Sequence, residues 1–314
     1  MTSDGDTLKS DAMLLSVVVT VVDGGETLVR CLTALARQEG APTLEIIVPY
    51  DESVSGMAPI VARFPTFHFL PIGQIETSRP RMGPAGQHEL FDRRRSAGLA
   101  RARGDVVAIL EDRGVPRPDW ARALTDTHEA LPHAVIGGAV ENGRDRVLNW
   151  AVYFCDFGRY QLPLEEGPRE YVTDVNIGYK RRALEQTREL WNQRYHETTV
   201  HWALTRAGET LFLSNRFAVD QMRDDLSIGR LVSERVGWGR LFAYTRARET
   251  GMARRLLFAA MAPVLPLVLF YRLTRHQVTK KRTLGKFLVA SPAIFLLLAT
   301  WSVGEMIGYL SGTP

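Results

Sequence analysis

Cysteine is scarce: Cys31 and Cys155 are the only two among 314 residues. They are too few for a disulfide framework and have no metal-site spacing, so reduced thiols in a cytosolic setting are expected. Phosphate-binding glycine loops are missing as well. The first strand-to-helix turn reads VVDGGETL (residues 21–28), which is neither G-x-G-x-x-G nor G-x-x-x-x-G-K-[ST]. That excludes the ordinary dinucleotide and P-loop sites, whose backbone must approach a phosphate at such a turn. A strong charge excess is absent too: 39 Lys and Arg stand against 35 Asp and Glu. A net charge of +4 argues against a broad nucleic-acid-binding face and suits an anionic small substrate or an anionic membrane surface. The first twelve residues, MTSDGDTLKSDA, hold no apolar run of the secretory kind, so the first domain is expected in the cytoplasm. No internal repeat or low-complexity segment occurs.

What is present is a globular composition, 45% apolar and 24% charged. Residues 14–22 (LLSVVVTVV) are continuously apolar and β-branched, as in a central parallel strand. After Gly24-Gly25, residues Leu28, Cys31, Leu32 and Leu35 recur at helical spacing. Strands at 44–48 and 66–70, a short helix near 55–63, a Pro/Gly-rich loop at 71–87, a basic helix from Glu89 and a strand at 106–110 continue the alternation. Such a pattern predicts an α/β fold with a doubly wound, mostly parallel sheet. Ligands in such sheets bind beyond the carboxyl ends of the strands. Three of those ends carry acid: Asp23 after strand one, Asp51 in VPYDES after strand two, and Glu111-Asp112 in VVAILEDRGVPRPDW. Converging carboxylates repel unless a cation or hydrogen-bond donors compensate, which points to a metal–diphosphate or sugar-nucleotide site.

In order and spacing, LLSVVVTVVDGGETLVRCLTALARQ, LEIIVPYDES, RRRSAGLARARGDVVAILEDRGVPRPDW, DVNIGYKRRAL and HETTVHWALTRAG resemble a family 2 inverting glycosyltransferase of the GT-A fold. The likeness covers roughly residues 14–245. It implies that Thr20, Val22, Glu26 and Asp51 bind the donor's nucleotide, with Asp51 reading the base. It places Glu111 and Asp112 at the start of the D-x-D signature that binds the ribose and a divalent cation, Mg²⁺ or Mn²⁺. It sets Arg95 on the diphosphate, which guanidinium recognises in bidentate fashion. Glu197 takes the place of the catalytic carboxylate, and Asn176, Trp150 and Trp202 fall on the acceptor side. Plainer roles exist for the same residues: a turn for Asp51, a helix cap for Glu111 and Asp112, a solvated face for Arg95, a dipole-favoured first turn for Glu197. His196 and His201 are expected to be structural.

The sequence also departs from the family pattern. Ser96 stands where an asparagine is usual, Thr20-Val21 replaces Pro-Thr, Arg113 takes the third D-x-D position, and Gln221 takes that of a late histidine. Arginine cannot coordinate a hard divalent cation. Three outcomes follow: a metal held by Asp112 and the diphosphate alone, Arg113 replacing the metal as a fixed charge, or a catalytically silent relative.

Two apolar runs, 256–271 and 287–303, flank a basic segment with no acidic residue. Two transmembrane spans would put that basic loop opposite the cytoplasmic domain, against the positive-inside tendency. Re-entrant or interfacial helices, a two-span hairpin and a soluble buried pair are the three arrangements to compare. The aromatic stretch at 147–163 reads as a core-facing helix or an acceptor platform. The expected organisation is a tail at 1–13, a GT-A domain at 14–226, an amphipathic basic linker helix at 227–254 and a membrane-associated hairpin at 255–314. The whole implies a glycosyltransferase on the inner membrane, its catalytic domain cytoplasmic. It would take a nucleotide sugar, UDP-linked, to a lipid-linked or glycan acceptor in envelope or exopolysaccharide synthesis, with no nucleic-acid partner.

Overall fold

The computed structural model describes residues 14–81, 83–248 and 250–313. The tail expected at 1–13 lies outside them. Strand β1 (Leu14–Thr20) is followed by α1 (Gly25–Ala36), β2 (Thr43–Tyr50), α2 (Met57–Arg63), β3 (His68–Pro71), α3 (Pro84–Arg101) and β4 (Val106–Glu111). Next come β5 (Gly114–Pro116), α4 (Trp120–Ala130), β6 (Val135–Asn142), α5 (Val147–Asp156), β7 (Gly167–Pro168) and β8 (Asn176–Lys180). Helices α6 (Arg181–Gln186), α7 (Arg188–Trp191) and α8 (Glu197–Arg206), strand β9 (Leu211–Gln221) and α9 (Ile228–Ala247) complete the order before two long C-terminal helices.

Among the described residues the strands form one sheet in the order β3-β2-β1-β4-β8-β6-β9-β5, with β7 beside β9. The first four strands pair in parallel, and the unbroken apolar runs of β1 and β4 suit their burial on both faces. Strand β8 runs antiparallel to β4, so the start of β8 meets the end of β4: Leu110 is paired with Asn176. The parallel register of β1 and β4 sets Thr20 beside Glu111. Three acidic segments are thus brought to one edge by register alone.

A second, separate apolar core lies outside the sheet. Ala151, Tyr153 and Phe154 of α5 and Leu231 of α9 pack on Phe287, Ala290, Ile294 and Leu297 of the final helix, Leu284–Ser311. The aromatic stretch therefore faces this helix. Helix α9 and the final helix approach backbone to backbone. A Cβ on Gly304 would sit 2.2 Å from the Val236 carbonyl oxygen, and one on Gly239 would sit 2.2 Å from that of Trp301. Small residues at a crossing permit such contact. Gly304→Leu is expected to force the helices apart, at a cost of about 1–3 kcal/mol or more, since overpacking there meets main chain. A lowered melting temperature in detergent would check it.

The helices Met252–Lys280 and Leu284–Ser311 have 29 and 28 residues and mean hydropathies of 2.0 and 1.9, enough by length and composition to cross a membrane. Each presents an exposed apolar side, with Leu257, Leu267 and Tyr271 on one and Leu288, Val289 and Leu310 on the other. The turn between them is held against the sheet domain. Lys280 donates to the Gln161 carbonyl, Arg282 pairs with Glu141 at 2.7 Å, and Lys286 pairs with Asp145 at 2.6 Å.

Candidate active site

The turn after β1 is built on two consecutive glycines in the left-handed region, Gly24 (φ 70°) and Gly25 (φ 51°), where a side chain would be strained. The backbone N–H groups of Asp23 and Gly24 both donate to Asp112 Oδ2, at 3.1 and 2.7 Å. Asp112 is fully buried, and desolvation pushes its pKa up to about 7 against those bonds. Its role here is to fix the turn. Arg113, the next residue, forks onto Asp23: Nε donates to Oδ2 at 2.7 Å and Nη2 to Oδ1 at 2.5 Å.

At the tip of β2, Asp51 is buried and its Oδ1 accepts from Arg94, which also donates to the Val21 carbonyl and so ties the two strand tips together. The other carboxylate oxygen, Oδ2, is buried without a partner. A buried unsatisfied oxygen costs about 1–3 kcal/mol, so it is a ready acceptor for an incoming donor.

Arg95 points to different partners from Arg94, since successive helical residues are turned by about 100°. Its guanidinium is 2.9 Å from Glu111, 3.0 Å from Asp174 and 3.5 Å from Asp92. Burial works against its charge, yet these three acids more than offset it and hold Arg95 protonated. Glu197 lies next in this chain of charges. Desolvation first, then the neighbouring Asp174 carboxylate, raises its pKa well above the usual range, with Arg95 opposing. Glu111 is raised as well, by burial first, with Arg95's opposing charge next and the Asp174 carboxylate after it. A carboxylate whose pKa is raised, set beside a fixed cation, is the arrangement general-base chemistry uses.

A cleft of about 760 Å³ opens beside the glycine turn, lined among others by Val22, Asp23, Phe91, Arg113, Arg223 and Trp238. A second groove of about 790 Å³ adjoins it and shares Asp156, Arg235 and Trp301. Its walls are apolar, from Phe154, Leu269, Leu273 and Leu297, with Arg159, Arg246 and Arg272 among its lining.

Several expected residues are placed elsewhere. Asn176, assigned to the acceptor, is fully buried, with both polar atoms of its amide engaged: Oδ1 accepts from Trp120 at 2.8 Å and Nδ2 donates to Ala139 O at 2.8 Å. Trp150 stacks on Phe154 and donates to Asp145, on the side of the final helix. Trp202 is exposed on α8. Thr20 is buried with its hydroxyl unpartnered, and Val22 lines the cleft. Glu26 belongs to a different surface hollow, with Arg30 and Arg37. His201 is buried, bonded to the Tyr179 hydroxyl at 2.7 Å, and desolvation lowers its pKa to about 4. His196 contacts Thr199. Arg94, Asp174 and Arg223 were not anticipated, although Asp174 sat in the flagged stretch DVNIG; Asp23 was expected only as an acidic strand end, without its arginine partner.

Residues 16–188 match the family model described as Glycosyl transferase family 2. The chain belongs to glycosyl transferase family 2. The mixed sheet with its parallel first half, and the apolar helices after it, are the expected GT-A arrangement with a C-terminal extension. Among curated family relatives, the chain is 30% identical over 116 residues to the succinoglycan biosynthesis protein ExoO of Rhizobium meliloti, covering 37% of this chain. It is 34% identical over 97 residues to the glucosyl-dolichyl phosphate glucuronosyltransferase of Haloferax volcanii, covering 28%. Both alignments span 30% of the relative's length. Among solved structures, it is similar to the mannosyltransferase PcManGT from Pyrobaculum calidifontis in complex with GDP-Man and Mn²⁺ (TM-score 0.48, 12% identity, 96% of this chain and 75% of that one). It is also similar to S. aureus TarS 1-349 in complex with UDP (TM-score 0.46, 13% identity, 96% and 92%).

The donor set for the cation implied by the family fits poorly. Among the described residues no group of three His, Cys, Asp or Glu is gathered as metal ligands. Asp112, the expected ligand, spends its carboxylate on the glycine turn. At the two other metal positions stand Arg113 and Gln221, and the amide oxygen of Gln221 is a single neutral ligand.

Proposed function

We propose that this family 2 member is a membrane-associated inverting glycosyltransferase that moves a sugar from a UDP-sugar to a lipid-linked acceptor in envelope or exopolysaccharide synthesis. The observation that carries the reading is the pairing of Glu111 and Asp174 on Arg95, with Glu197 close enough to feel both charges, beside Arg113, which shares a hollow with Glu111 and also lines the cleft of about 760 Å³. Glu197 takes the proton of the acceptor hydroxyl as that oxygen attacks the anomeric carbon from the face opposite the leaving group. The carbon–oxygen bond to the diphosphate breaks, and its electron pair stays on the β-phosphate. One displacement inverts the anomeric centre.

Asp51 Oδ2 supplies the acceptor for a base bearing a ring N–H, as uracil does. Asp51→Asn is expected to weaken UDP binding by about tenfold or more, the value of a hydrogen bond to a charged group, measured by calorimetry. The groove beside the cleft suits an acceptor with an apolar tail and an anionic head: its walls are apolar and its lining includes Arg159 and Arg272. The relatives' names, one from succinoglycan biosynthesis and one from a dolichyl phosphate sugar, support the same class.

The docked turn bears on attachment. Lys280, Arg282 and Lys286 bond to the sheet domain, which a straight two-span hairpin would forbid by carrying them across the bilayer. The helices are read as lying in the interface of the inner membrane, on its cytoplasmic side, with their apolar side in lipid. A silent relative is the rival that Arg113 favours. Thermal stabilisation across a panel of nucleotide sugars, followed by turnover with a polyprenyl-phosphate sugar, decides between them: stabilisation with turnover supports the enzyme, stabilisation by none removes it.

A further inference from the structure

The carboxylates on the cleft wall are each already paired. Asp23 holds Arg113, Asp156 takes both terminal nitrogens of Arg235 at 2.6 and 2.7 Å, and Glu234 takes Arg223 at 2.7 Å to each oxygen. A divalent cation arriving here would have to displace a guanidinium. The arginines, in contrast, have donors to spare. Arg223 spends one terminal nitrogen on Glu234, while its Nε is buried with no partner. Arg113 spends two of its three nitrogens on Asp23.

The backbone brings these two arginines together. Met222 N–H donates to the Arg113 carbonyl at 2.7 Å, and Gly114 pairs with Gln221 across β5 and β9. Arg113 and Arg223 therefore leave adjacent strand ends and line the same cleft. Burial first, and then the charge of Arg113, makes the Arg223 cation less favourable than in water. An anion between the two relieves both terms. The cleft lining as a whole carries four arginines and three carboxylates, a net positive wall.

We infer that Arg113 and Arg223 bind the donor's diphosphate directly and that binding and transfer need no divalent cation. This rests on the glycosyltransferase reading and concerns the same site. As the anomeric carbon–oxygen bond breaks, the electron pair settles on the β-phosphate oxygen, and the remaining N–H groups of two fixed guanidinium cations stabilise it there without reorganisation.

The test is calorimetry on the full chain in detergent with UDP, GDP, ADP and dTDP, in EDTA and in Mn²⁺. At least one nucleoside diphosphate is expected to bind with an affinity that changes less than about threefold between the two conditions. Arg223→Gln and, separately, Arg113→Gln are expected to weaken that binding in EDTA by about tenfold to a hundredfold, with Arg223→Lys intermediate because charge is kept and the fork is lost. Binding that vanishes in EDTA and returns with Mn²⁺ overturns this inference and leaves the glycosyltransferase reading intact. Wild-type affinity in both glutamine variants overturns it as well. Absence of binding under either condition overturns the donor reading itself.

Discussion

Glu197→Gln is expected to slow sugar transfer by about a thousandfold while UDP affinity changes by less than about twofold. Glutamine keeps the size and the hydrogen-bonding reach of the side chain but cannot take a proton, and a positioned general base contributes roughly 10²–10⁴ in rate. The environment makes the prediction sharper through pH. Glu197 is active when ionised, so the rate climbs as pH rises through its pKa. Burial and the Asp174 charge raise that pKa, so the limb lies well above the value of about 4.3 for an ordinary glutamate. Asp174→Asn removes a like charge and shifts the limb to lower pH. Single-turnover rates over a pH series measure both effects. A limb that stays in place in Asp174→Asn would detach Glu197 from the chemistry, as would normal turnover in Glu197→Gln.

Arg95→Met should be the most damaging change to the fold around the site. Arg95 is 3% exposed and is the common partner of Glu111, Asp174 and Asp92. Removing one member of a buried charge group leaves the others uncompensated, at about 3–5 kcal/mol. That corresponds to roughly ten degrees in Tm for a domain of this size. The sign of the pH effect follows from linkage. Burial already raises the Glu111 carboxyl against the opposing charge of Arg95, and without that cation its folded-state pKa rises further above the unfolded one, so the folded state holds more protons. Stability then falls as pH rises through that raised value, and the deficit of the variant shrinks in acid. Thermal melts of wild type and variant at mildly acidic and mildly alkaline pH check this. A deficit equal at both would mean that lost packing, and not lost charge, dominates.

The sheet was legible because its information is local. The apolar run at 14–22 and the acidic ends of the strands at 51 and 111 announce buried parallel strands and the edge where they finish. Direction around a helix was not legible. In Arg93-Arg94-Arg95 nothing in the sequence says which guanidinium faces Asp51 and which faces Glu111; the 100° turn between neighbours decides, once α3 is docked. What Asp112 bonds to was hidden for a related reason. Its backbone partners, the N–H groups of Asp23 and Gly24, lie 89 and 88 residues away and have no side-chain signature. Asn176 drew attention over Asp174, yet Trp120 claims the asparagine and Arg95 claims the aspartate. The close approach of α9 to Gly304 and Gly308 was not legible either, because it is a matter of tertiary packing.

The separate core shared by α5, α9 and the final helix has a practical side. A biochemist wanting a water-soluble enzyme would first try ending the chain before Met252. That truncation would strip Phe287, Ile294 and Leu297 away from Phe154 and Leu231, leaving a sticky aromatic scar on the very fragment meant to stay in solution. The greasy tail is as much the catalytic half's lining as its mooring.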